Sequence, residues 1–103
     1  MIDIKYNIDR FELTMDGHAG SAEQGKDLVC CAASVLANTL LAAVQNNEIG
    51  FDYEKQDDGF LRLELRPTRD EEYETHIIFM TVLSGMYELA LQYPEYVSFK
   101  EVE

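Results

Sequence analysis

Two residues of this chain have types and spacing that could do covalent chemistry together. His18 stands in Gly17-His18-Ala19, and Cys30 follows twelve residues later in Asp27-Leu28-Val29-Cys30-Cys31. A cysteine nucleophile needs a base to hold or take its proton, and N–H donors for the oxyanion of a tetrahedral intermediate. With Asp27 as a helix N-cap, Cys30 falls in the first helical turn. There the unpaired backbone N–H groups and the positive end of the helix dipole favour an anion, and the same N–H groups could form the oxyanion hole. His18 arrives at the end of a strand, with a connecting loop long enough to fold back. Spacing alone leaves a second reading open: a cysteine in an apolar helix is often a small core residue, and a lone histidine near a strand end is often structural or solvent-exposed.

The elements that must position this pair follow from periodicity. Ile2-Ile4-Tyr6 and Phe11-Leu13-Met15 alternate with polar residues, which predicts strands over 2–6 and 10–15 joined through Asn7-Ile8-Asp9. Residues 16–26 lack periodicity and read as a surface loop of about ten residues, with Gly17, Gly20 and Gly25 as either turn residues or hinges of a mobile flap. From Asp27 to about Gln45 the spacing is helical. Val29, Ala33, Leu36, Leu40 and Val44 form its stripe, and Ala and Cys around the rest predict a central helix covered on more than one side. Strands over 49–55 and 60–66 follow, joined by the turn Gln56-Asp57-Asp58-Gly59. A second helix is expected over 71–93, with Tyr73, Ile77, Met80, Leu83, Tyr87 and Leu91 as its buried stripe, and a last strand over 96–102. The order is ββαββαβ, an α+β fold of two helices on a mostly antiparallel sheet, and residues 1–103 read as one domain.

Composition narrows the setting. Hydrophobic residues make up 47% of the chain, and six Tyr and five Phe are spread along it, which suits a packed globule. No stretch reads as the roughly 20 apolar residues of a membrane span, and Met1-Ile2-Asp3-Ile4-Lys5 lacks the regions of a signal peptide, so a cytoplasmic location is expected. Adjacent cysteines there are expected to be thiols, held about 100° apart on a helix. Two Cys and two His, with the cysteines adjacent and His76 on the other helix, make a closed zinc site implausible. No metal or cofactor is expected, and His76 reads as a partly exposed helix residue. A formal charge of −12 opposes nucleic acid and anionic lipid and favours a basic partner, or serves solubility alone.

The stretch Asp16-Gly17-His18-Ala19, then Gly25, Asp27, Leu28-Val29-Cys30 and Ser34, resembles the signature of the ribosomal-processing cysteine protease Prp family. That signature has a Gly-His-Ala element followed by Gly-x-Asp-[Ile/Leu]-Val-Cys-Ala-Ala-x-Ser. The resemblance extends to total length, the strand pair ahead of the motif, and the second helix with its last strand. It implies an endopeptidase that removes the N-terminal extension of large-subunit ribosomal protein number twenty-seven, cutting after a hydrophobic, aromatic-containing segment. It also implies Cys30 as nucleophile, His18 as its partner, and a homodimer. Cys31 departs from the family, which usually has Ala there.

Two supporting residues keep two readings each. Asp27 either caps the helix, the favoured role, or orients the His18 imidazole. Ser34, one turn after Cys30, either hydrogen-bonds near the thiol or is small for packing. The alternative to an enzyme is a non-catalytic acidic module that docks on a basic ribosomal protein or assembly factor, which leaves His18 and Cys30 without a task.

Overall fold

The computed structural model describes residues 1–18, 20, 27–56 and 59–103. Most of the expected 16–26 loop, Gly25 included, and the turn residues Asp57 and Asp58 lie outside the described residues.

The period-two apolar residues put Ile4 opposite Met15 in an antiparallel pair of β1 (Ile2–Asn7) and β2 (Glu12–Asp16). Strand β2 starts two residues later than the expected 10–15 because Asn7 organises the turn. Its buried side chain accepts the Arg10 N–H and donates to the Val102 carbonyl, both at 2.9 Å. Strands β3 (Gly50–Gln56) and β4 (Phe60–Arg66) form a second antiparallel pair, and β4 pairs antiparallel with β2. Strand β5 (Val97–Glu101) joins β1 in parallel. The sheet order is β3-β4-β2-β1-β5, with three antiparallel ladders and one parallel, so the fold is the expected α+β arrangement in the expected ββαββαβ order.

Helices α1 (Leu28–Asn46) and α2 (Glu72–Gln92) pack on the face that carries Ile2, Ile4, Leu13, Met15, Leu63 and Leu65. Asp27 starts α1, and a glycine-type stop ends it: Ile49 N–H donates to the Val44 carbonyl at 2.9 Å and Glu48 N–H to Gln45 at 3.2 Å, with Glu48 at φ 56°. Val44 and Ile49 are both buried beneath that turn. Leu36 meets α2 at Gly85, where a Cβ would come within 2.8 Å of its Cδ2, so glycine there lets the helices approach closely. On the opposite face of the sheet Arg62 bridges Glu12 at 2.8 Å and Glu64 at 2.6 Å. Burial opposes its charge, but the bonds to Glu12 and Glu64 outweigh that and raise its pKa.

Three expectations change. The buried stripe of α2 is Thr75, Phe79, Val82, Leu83, Met86 and Leu89, whereas Tyr73, Ile77, Tyr87 and Leu91 are exposed. The helix is apolar on two flanks; the sheet takes the flank whose Phe79 fits edge-on against Phe11, at 5.7 Å between ring centroids. In α1, Ala37 is buried and Leu36 partly so, and cover comes from the sheet and α2 while Leu28 and Val35 stay exposed on the outer side. Finally, α1 is long and apolar enough to cross a membrane by length and composition, contrary to the expectation that no stretch qualifies. Its Ala and Cys residues bring its hydropathy to that level, and its Val29, Ala33, Ala37, Leu40 and Val44 face is packed in the core.

Candidate active site

His18 follows β2 through a residue that has to be glycine. Gly17 adopts φ 99°, a Cβ on it would overlap the Met1 carbonyl oxygen, and its N–H donates to the Gly59 carbonyl at 3.1 Å. This fixes the end of β2 against the start of β4. Gly17 is therefore set by close packing, while Gly20, at φ 72°, has open space around its Cα. The His18 side chain is exposed and rests on Gly59, itself at φ 90°.

Cys30 is the third residue of α1 and is half-buried. Asp27 sits at the N-cap, where its Oδ1 accepts the N–H groups of Val29 at 3.0 Å and Cys30 at 3.1 Å, and its carbonyl accepts the Cys31 N–H at 3.1 Å. The cap expectation for Asp27 agrees with this geometry. Of the first-turn N–H groups expected to form the oxyanion hole, those of Val29 and Cys30 serve the Asp27 carboxylate. Cys31 lies about 100° around α1 from Cys30 and is exposed rather than turned into the core.

His18 and Cys30 line one open cleft of about 360 Å³, together with Ser34, Asn38, Lys55 and Gly59. Cys30, Ser34 and Asn38 recur every four residues and so form one stripe of α1 facing the β3–β4 hairpin. Apolar side chains Ile2, Met15, Phe60 and Leu61 line the rest. Among the described lining residues there is no carboxylate, and Lys55 is the one lysine or arginine. His76 lies on α2, away from the cleft residues.

The sequence reading missed Asn38, Lys55, Gly59 and the apolar lining. Asn38 was detectable as the next member of the 30, 34 series, and Gly59 through its Asp-Gly turn signal. Lys55 and the apolar side chains reach the cleft only through strand pairing. A cleft of this composition offers a thiol, an imidazole and an apolar surface to one bound chain, which suits thiol-based acyl transfer.

Comparison with known proteins bears on that chemistry. The family model described as cysteine protease Prp matches residues 1–98. The ribosomal processing cysteine protease Prp of Mycoplasma pneumoniae is 31% identical over 102 residues, covering 95% of this chain and 94% of that one. Among solved structures, the essential ribosomal processing protease Prp of S. aureus, in complex with a covalently linked product peptide, superposes with a TM-score of 0.83. It is 25% identical, with 98% of this chain and 97% of that one covered. SMU.848 from Streptococcus mutans superposes with a TM-score of 0.75 at 26% identity, covering 98% and 91%. With a family match over nearly its whole length and a curated relative of the same size, the chain belongs to the cysteine protease Prp family.

Proposed function

We propose that this cysteine protease removes the N-terminal extension of large-subunit ribosomal protein number twenty-seven, with Cys30 as nucleophile and His18 as its base. The observation that carries the reading is that Cys30 and His18 line the same cleft although they stand twelve positions apart. His18 takes the Cys30 proton; Sγ attacks the scissile carbonyl carbon, and the tetrahedral intermediate expels the new amine, protonated by His18. Water, deprotonated by the same imidazole, then hydrolyses the thioester and restores the thiol.

Ile2, Met15, Phe60 and Leu61 provide the apolar lining that an aromatic-containing extension requires. A −12 chain attracts a basic ribosomal protein. The exposed Leu28 and Val35 of α1, with Tyr73, Ile77 and Leu91 of α2, support a homodimer that covers them. The enzyme acts in the cytoplasm and, given its charge, without direct nucleic-acid binding. Its family membership sets aside the non-catalytic docking module.

The test is a synthetic peptide spanning the extension and the first residues of the mature protein, followed by mass spectrometry. One cut is expected, lost in Cys30→Ala and nearly lost in His18→Ala, with circular dichroism unchanged. Binding without any cut by the intact protein rejects the assigned substrate.

A further inference from the structure

We propose that the outer edge of β3 holds the substrate, as an added strand whose backbone pairs with Phe51, Tyr53 and Lys55 on its way into the Cys30–His18 cleft. This rests on the substrate reading above and extends it from the scissile bond to the segment beside it.

Strand β3 is an outer strand of the sheet and pairs only with β4 among the described residues. Two bonds fix which of its backbone groups face outward. Leu65 N–H donates to the Phe11 carbonyl at 2.9 Å, and the Gly59 carbonyl accepts the Gly17 N–H at 3.1 Å. Odd-numbered residues of β4 therefore turn their backbone groups toward β2, and even-numbered ones toward β3, because these groups alternate sides along a strand. The β3 residues opposite even positions, Gly50, Asp52, Glu54 and Gln56, point inward to Arg66, Glu64, Arg62 and Phe60. The N–H and C=O groups of Phe51, Tyr53 and Lys55 are left on the open edge, three donors and three acceptors at every second residue.

Such an edge is a template for an extended chain, which it holds through main-chain bonds while side chains supply selectivity. It is continuous with the cleft: Lys55 and Gln56 at its end line the same cavity as Cys30 and His18. Its side chains match the proposed substrate on both faces. Phe51, Tyr53 and Lys55 lie on the side of Leu65, Leu63 and Leu61, so alternate residues of a bound strand meet two aromatic rings there. The intervening residues meet exposed Glu54, which favours a basic side chain, and Asp52, whose carboxylate is shared with Arg66 at 2.5 Å.

The test uses the full chain and the extension peptide in two measurements. In Cys30→Ala, which holds the peptide without turnover, saturation is expected to slow amide exchange at Phe51, Tyr53 and Lys55. It is expected to leave the inward-facing amides of Asp52 and Glu54 unchanged. With the wild-type enzyme, backbone N-methylation of the peptide is expected to raise KM about tenfold at alternate positions on one side of the scissile bond, leaving kcat and the intervening positions little changed. A peptide cut at its normal rate while the three β3 amides exchange freely, or KM indifferent to every N-methyl group, overturns the edge proposal alone. Protection of the same amides on raising protein concentration without peptide assigns the edge to a second copy and also overturns it. A peptide that the wild type leaves uncut and the variant leaves unbound overturns the substrate reading and the edge proposal together.

Discussion

The His18 imidazole lies so close to Gly59 that a Cβ on that glycine would come within 2.9 Å of Nε2 and 3.2 Å of Cε1. The β3–β4 hairpin therefore supplies a flat seat for the proposed base, and only the absence of a side chain makes it fit. Gly59→Ala is expected to lower kcat/KM about 100-fold by displacing the ring. The φ of 90° adds roughly 1–2 kcal/mol of destabilisation, to be read from a thermal melt. If kcat/KM falls only as far as the folded fraction does, the seat has no part in the chemistry.

Asp27 makes a test that separates capping from catalysis. Asp27→Ala removes the acceptor for the Val29 and Cys30 N–H groups and is expected to cost about 0.5–2 kcal/mol. Asp27→Asn keeps an oxygen in the same place and is expected to retain most stability and activity. An Asn variant that melts normally but turns over poorly would instead give Asp27 the task of orienting the imidazole.

The two thiols should part company in labelling experiments. Since Cys31 is exposed and Cys30 half-buried, iodoacetamide is expected to reach both, with loss of activity tracking carboxamidomethylation of Cys30 alone. Cys31→Ala is expected to keep activity and Cys30→Ala to lose it. Peptide mapping that links inactivation to Cys31 would move the nucleophile by one residue.

Charge predicts a salt effect on encounter. The second-order rate on the proposed basic substrate is expected to fall as ionic strength rises to physiological values, where the Debye length is about 8 Å, with kcat much less affected. A salt-independent second-order rate leaves the acidic surface with solubility alone.

Thr75 is fully buried, and its Oγ1 meets no hydrogen-bond partner among the described residues. Replacing that hydroxyl by a methyl group in Thr75→Val removes an unsatisfied polar atom and is expected to stabilise the fold by about 1 kcal/mol. The corresponding rise in Tm is roughly 4–8 °C. A lower Tm would show that the hydroxyl is satisfied in solution.

Local patterns carried much of this protein. The cap at Asp27 is an interaction between neighbours, so residue type and spacing suffice to find it, and the same holds for the alternation of Ile2 and Ile4 that makes β1. The helix α1 and four of the five residues of its stripe are legible for that reason. Tertiary structure decided what depends on partners distant in sequence. Two flanks of α2 are apolar at helical spacing, and only contact with Phe11 and the sheet selects the Phe79 flank and leaves Tyr73 and Ile77 outside. Which of two adjacent cysteines enters the cleft depends on how α1 is rotated over the sheet, a matter of packing along its whole length. That Lys55 and Gly59 reach the cleft follows from the pairing of β4 with β2, which joins residues about 50 positions apart. Periodicity reports which residues share a face; which face meets the rest of the molecule is chosen by the burial that all elements achieve together.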